Sequence, residues 1–112
     1  MKVLFHVNES ERWPRVLLNT TNFIKDVGIG NAEIEIVANG AGVSGYVNQS
    51  DQDLMAKMTN LAKDGVKFAA CRNALNMHKL DENKLPSFVS VVPAGITEIV
   101  NKQAAGFAYI KP

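Results

Sequence analysis

Five short apolar segments alternate with longer amphipathic segments along this chain of 112 residues, and that alternation constrains the fold more than any other feature. The segments 2–7, 32–38, 66–70, 88–92 and 107–110 have the length and apolar content of strands. Between them, residues 11–27, the stretch from Ser50 to Gly65, and residues 72–79 and 94–105 have helical spacing. The β-α-β-α-β-α-β-α-β order predicts an α/β protein, a three-layer α/β/α sandwich with a five-stranded parallel sheet.

Individual residues predict local features of these segments. Ser50 has the side chain of an N-cap, and the loop 39–45 is glycine-rich and is expected to be flexible. Glu33 and Glu35 alternate with isoleucines, which indicates a strand with one partly solvated face. The apolar stripe of the last helix is expected to face the sheet and consists of Ile96, Ile99, Val100 and Ala104.

Composition excludes several classes of function. The net charge of +1, with acids and bases interspersed, gives no electrostatic case for nucleic acid or for an anionic membrane. One cysteine allows no internal disulfide and too few thiols for a zinc or iron–sulfur site, so we expect no metal and no cofactor. No apolar run is long enough to span a bilayer, and the apolar start is too short for a signal peptide. We therefore expect a single cytoplasmic domain over residues 1–112.

Cys71, the one cysteine, stands where the third strand runs into a helix. The carboxyl ends of parallel strands share one edge of the sheet, and ligands of open α/β sheets bind at that edge. A helix N-terminus there favours a thiolate, so Cys71 is the candidate catalytic residue. The candidate binding residues, which fall at the same edge, are Asn8, Asn39, Gly40, Arg72, Asn73 and Gly95. The alternative is that Cys71 is simply a small buried apolar residue.

Other motifs give weaker signals. Residues 40–45 match G-x-G-x-x-G, but they follow the second strand, and the next strand ends without an acid to hold a ribose. His6 is more typical of a core or interface histidine with its hydrogen bonds satisfied than of a catalyst. His78 lies roughly 10 Å from Cys71 along the helix, too far for a Cys–His pair. Trp13 is expected either at the start of the first helix or at a subunit contact.

Three parts of the chain together resemble the small prokaryotic DsrE/DsrF-like proteins. They are the segment 65–75 around Cys71, the opening 3–7, and the close formed by 92–100 and 106–112. The resemblance implies the three-layer fold, homotrimers or hexamers, and a cysteine after the third strand that carries sulfur as a persulfide. Cys71 matches that position, although the 72–76 stretch differs from the small-residue, arginine-rich helix start of the sulfur carriers.

Three functional hypotheses follow. The first is a sulfur carrier, in which Cys71 accepts sulfane sulfur from a donor protein and passes it to an acceptor, with Arg72 or Lys111 adding positive charge. The second is a non-catalytic oligomeric protein that binds a small anion or metabolite and in which Cys71 is structural. The third is a subunit of a larger complex.

Overall fold

The computed structural model describes residues 1–48 and 50–112. Within these residues, five strands and four α-helices follow one another in the predicted order. They are β1 (Lys2–Val7), α1 (Trp13–Val27), β2 (Glu33–Ala38), α2 (Gln52–Lys63), β3 (Lys67–Cys71), α3 (Arg72–Met77), β4 (Val89–Val92), α4 (Gly95–Ala104) and β5 (Ala108–Ile110). Short 3-10 helices span Ser10–Arg12, Gly40–Tyr46 and Glu82–Lys84.

The strands form one parallel sheet in the order β4-β3-β2-β1-β5, which confirms the predicted fold class. From β1 to β4 each crossover steps in the same direction, so right-handed connections place α1, α2 and α3 on one face. The chain then returns across the sheet to β5, which places α4 on the opposite face, where it contacts β2, β3 and β5. The two helical layers are therefore unequal.

Two separate clusters of buried side chains reflect this inequality. The larger lies under α1 to α3 and contains alternate strand residues such as Phe5, Ile36 and Phe68. The smaller lies under α4 and consists of Leu4, Val37, Ala69 and Ile99. Successive strand residues point to opposite faces of the sheet. The strand residues that alternate with those of the larger cluster therefore lie on the other face, where α4 is the one α-helix among the described residues.

The predicted orientation of α4 is wrong. Of its four expected inward residues only Ile99 is buried, whereas Ile96 is 63% exposed, Val100 is 58% exposed and Ala104 is also exposed. The helix approaches the sheet through Gly95 and Ile99, which are one turn apart, and its half-buried side includes Glu98 and Lys102. The sheet face beneath it carries a buried carboxyl group, so polar residues of α4 turn inward and apolar residues are left outside.

The glycine-rich segment is also not the flexible loop that the sequence suggests. Residues Gly40–Tyr46 form a 3-10 helix with Gly42, Val43, Gly45 and Tyr46 buried. A Cβ on Gly42 would collide with the Val7 carbonyl, and a Cβ on Gly45 with the indole of Trp13. The Trp13 Nε1–H donates to the Gly42 carbonyl at 2.7 Å, so Trp13 is buried at the start of α1. These glycines serve close packing, which removes the basis for reading them as a phosphate loop.

Two further local predictions are corrected. The N-cap of α2 is Asp51 rather than Ser50, because the Asp51 carboxylate accepts a hydrogen bond from the Leu54 N–H at 3.0 Å. The solvated face expected for β2 holds only for Glu33, which is exposed, while Glu35 is buried under α4.

Candidate functional site

Cys71 ends β3 and is at the same time the N-cap residue of α3. Its backbone is extended, and it lies opposite Val92 of β4 in the parallel register. The residue is 6% exposed, so the thiol is buried at the carboxyl edge of the sheet rather than displayed on it. The position agrees with the sequence prediction, and the burial is information that only the structure provides.

Gly95 brings a second helix N-terminus against this thiol. A Cβ placed on Gly95 would lie 3.2 Å from the Cys71 Cβ and 3.0 Å from the Asn39 Cβ, so a side chain there would push α4 away. The α4 helix begins without a side-chain cap. Because the first N–H groups of a helix have no acceptor within it, they form a partly positive surface at this point. The sequence predicted a helix over 72–79 after Cys71 and placed Gly95 at the same edge; in the structure α3 has only six residues, and the longer α4 begins at Gly95.

Asn39 is held in place by a short hydrogen-bonded chain. His6 Nε2 lies 2.7 Å from Asn39 Oδ1, and His6 Nδ1 lies 2.6 Å from the hydroxyl of Tyr109. An amide oxygen only accepts, so Nε2 carries the proton and Nδ1 accepts from the Tyr109 O–H. Burial lowers the pKa of His6 below its usual value, and the positive charge of Lys111 lowers it further. The hydrogen bond with Asn39 opposes both effects. His6 is thus a neutral histidine with both nitrogens engaged, and the NH2 end of Asn39 is left as a donor.

Asn8 and Gly40 join the ends of β1 and β2. Gly40 has φ +51°, and a Cβ there would lie 3.2 Å from the Asn8 carbonyl oxygen. The side-chain Oδ1 of Asn8 is buried and has no hydrogen-bond partner within residues 1–48 and 50–112. This edge of the sheet therefore holds one acceptor that the fold itself does not use.

Arg72 and Asn73 do not join this group. The Arg72 guanidinium pairs with Glu82, with Nε 2.7 Å and Nη2 3.4 Å from the two carboxylate oxygens. That contact lowers the pKa of Glu82 and engages the positive charge of Arg72 with a carboxylate. Asn73 is exposed on α3. The structure thus connects Asn8, Gly40, Asn39, Gly95 and Cys71 through direct contacts, and leaves Arg72 and Asn73 outside.

Tyr109 is a contributor that sequence reasoning missed. It lies opposite Leu4 in the β1–β5 register, which places it on the same sheet face as His6. The sequence does contain a tyrosine in the last predicted strand and a histidine in the first. Their contact can be predicted only when it is known that these two strands are neighbours in the sheet.

Comparison with known proteins agrees with this architecture. The model of the DsrE/DsrF-like family matches residues 1–112. The chain belongs to this family. It is also similar to the solved structure of MTH1491, a protein of unknown function from Methanobacterium thermoautotrophicum. The two sequences are 33% identical, the TM-score is 0.88, and the match covers 99% of this chain and 98% of that chain. No curated protein matches the chain.

Within residues 1–48 and 50–112, no helix is both long and apolar enough to cross a membrane. The same residues contain no group of three or more His, Cys, Asp or Glu side chains placed to hold a metal ion.

Proposed function

We propose that this DsrE/DsrF-like protein carries sulfane sulfur as a persulfide on Cys71. Membership of the DsrE/DsrF-like family supports a fold of the kind found in sulfur-relay proteins. Cys71 supports the specific role, because it is the one thiol of the chain and ends β3 at the edge where ligands of parallel sheets bind.

The proposed step is an exchange between a thiolate and a persulfide. The Cys71 thiolate attacks the outer sulfur of a donor persulfide, the new S–S bond forms, the donor S–S bond breaks, and the donor leaves as a thiolate. Attack by an acceptor thiolate on the outer sulfur then returns Cys71 to a thiolate. Because the chain has no second cysteine, both exchanges are between molecules.

The observation that carries the proposal is the contact of Gly95 with Cys71. The outer sulfur of a persulfide lies about 2 Å beyond Sγ and bears the negative charge. The uncapped first turn of α4 begins at Gly95, which packs against both Cys71 and Asn39, so its N–H groups and the NH2 group of Asn39 are the proposed donors. Backbone N–H groups at a helix N-terminus stabilise an anion without a charged side chain, which suits a site whose neighbouring Arg72 is paired with Glu82.

A second candidate function rests on the burial of Cys71. A cysteine that is 6% exposed is compatible with a structural residue, in a protein whose sheet edge binds a small anion or metabolite. Asn8 Oδ1 is buried and has no hydrogen-bond partner among the described residues, so it could accept a hydrogen bond from such a metabolite. The two functions differ in whether Cys71 gains sulfur.

The proposal includes self-association and a cytoplasmic location. We infer the homotrimer or hexamer that the resemblance to the family implies, and the apolar surface exposed by Ile96, Val100 and Tyr109 on the α4 face supports self-association. We infer the cytoplasm because a free thiol remains reduced there. Light scattering at micromolar concentration tests the assembly: a Val100→Glu variant is expected to have lower mass, and a monomeric parent protein would contradict the inference.

Loading with sulfur tests the central step. The native protein is incubated with polysulfide, and intact mass is measured after removal of excess reagent. We expect a gain of one sulfur atom per chain, located at Cys71 by peptide mapping, and no gain for Cys71→Ser. Equal loading of the Cys71→Ser variant, or no loading of the parent, would leave the structural-cysteine alternative.

A further inference from the structure

Glu35 is a buried carboxyl group whose hydrogen bonds are incomplete. Its side chain is 7% exposed, and Oε1 lies 3.9 Å from the Nζ of Lys102 on α4. Oε2 is buried and has no hydrogen-bond partner within the described residues. Burying an acceptor without a partner costs about 1–3 kcal/mol, and more for a charged group. The fold therefore keeps a carboxyl oxygen that its own donors do not satisfy.

This side chain lies between two cavities, of about 290 and 240 Å³, on the side of the sheet that α4 only partly covers. Glu35, Gly65 and Lys67 line both. The first cavity also contacts Glu98 and Ser90, and the second contacts Phe107. Cys71 lines neither, and Glu35 is four residues before Asn39, roughly 13 Å along the chain. The Glu35 cavities therefore do not include the thiol, although the first is lined by Val92, which lies opposite Cys71 in the register.

Acidic groups outnumber basic groups around these cavities. The charged lining residues are Glu33, Glu35, Asp64, Glu98, Lys67 and Lys102. Lys102 already contacts Glu35 and lies 5.3 Å from the centroid of the Phe107 ring, and Lys67 is exposed. Lys2 of β1 lies opposite Glu33 in the register and 5.8 Å from the same ring centroid. Once Glu35 is ionised, the cavity walls carry four acidic groups against two lysines, which favours a cationic guest.

Glu98 places a second carboxyl group beside Glu35 in the first cavity. Burial, and then the neighbouring carboxyl group of Glu98, raise the pKa of Glu35 to about 8, against the opposing charges of Lys102 and Lys67. At neutral pH the Glu35 carboxyl group therefore holds a proton. A ligand with several N–H donors could replace that proton and satisfy Oε2 as well.

We propose that the Glu35 cavities bind a small organic cation through a guanidinium group that bridges the carboxylates of Glu35 and Glu98. A planar guanidinium presents parallel N–H donors that match carboxylate oxygens, which a single ammonium does not. On binding, the proton of the Glu35 carboxyl group leaves to solvent, so one cation enters and one proton departs. This binding is independent of the sulfur chemistry at Cys71.

Calorimetry with methylguanidinium as the probe tests the proposal on the whole protein. Titrations at pH 7 in two buffers of different ionisation enthalpy are expected to show release of close to one proton per ligand. The apparent dissociation constant is expected to fall about tenfold for each pH unit up to about 8 and then level off. Urea, which has a similar shape but no charge, is the matched ligand control and should not bind at the same concentrations.

Substitutions of the two carboxyl groups test whether they hold the cation. Glu35→Gln keeps the shape of the side chain and is expected to abolish both binding and proton release, while Cys71→Ser is expected to change neither. Glu98→Gln, at a half-buried surface position, gives the same test if Glu35→Gln does not fold. The proposal would be overturned if methylguanidinium did not bind, or if its binding did not depend on pH. Equal binding of methylguanidinium by Glu35→Gln, or equal binding of urea by the parent protein, would also overturn it.

Discussion

Replacing Glu35 by glutamine should make the protein more stable at alkaline pH and leave it unchanged at acid pH. Burial and Glu98 raise the pKa of Glu35 from 4.5 to about 8, so the folded state holds a proton that the unfolded chain releases. The stability associated with that proton is fully present below pH 4.5 and is lost as the pH rises to about 8. Glutamine resembles the protonated carboxyl group at every pH and therefore lacks this loss.

The size of the effect follows from the pKa change. At about 1.4 kcal/mol for each pKa unit, the shift sets a ceiling of about 5 kcal/mol. Solvent that reaches the adjoining cavities screens the charge, so we expect a gain on the order of 2–3 kcal/mol for Glu35→Gln at pH 9.

Urea unfolding at intervals from pH 5 to pH 9, followed by the fluorescence of the one tryptophan, measures this gain. Glu33→Gln, an exposed position on the same strand, is the matched control and should follow the parent curve. The reasoning would be refuted if the parent and Glu35→Gln curves ran parallel over this range, or if the parent became more stable as the pH rose.

Three other substitutions have definite expected outcomes. Gly95→Ala places a methyl group against Asn39 and Cys71, so polysulfide loading followed by intact mass should slow several-fold; an unchanged rate would show that the close approach of α4 is irrelevant. Tyr109→Phe removes the hydroxyl donor to His6, and urea unfolding at pH 7 should show a loss of about 1 kcal/mol; no loss would argue against the chain of hydrogen bonds. Arg72→Ala breaks only an exposed pair, so both the unfolding midpoint and the loading rate should stay the same, and slower loading would return Arg72 to the site.

The order of the strands along the chain and the edge position of Cys71 could be predicted because both depend on local signals. Apolar segments of strand length alternate with helical spacing, and parallel strands necessarily share a carboxyl edge. The same reasoning placed Asn39, Gly95 and Cys71 at one edge, and the structure shows that they are in contact there.

The features that could not be predicted depend on which strands are neighbours. The contact between His6 and Tyr109 exists because β5 returns to lie beside β1, an order that no local pattern reveals. The rotation of α4 has the same origin: Val100 is apolar, but the helix turns Lys102 inward toward a carboxyl group on β2. Helical spacing identifies an apolar stripe and does not identify the surface that the stripe will meet.

Delivery of sulfur is the most direct test of the central claim. Protein loaded with one sulfur atom at Cys71 is freed of reagent and mixed with an acceptor thiol, and the intact mass of the protein is followed together with the persulfide formed on the acceptor. We predict that the folded protein returns to its original mass as one equivalent of sulfur appears on the acceptor. A mass gain that is never transferred, or the absence of any gain at Cys71, would contradict the role of this protein as a sulfur carrier.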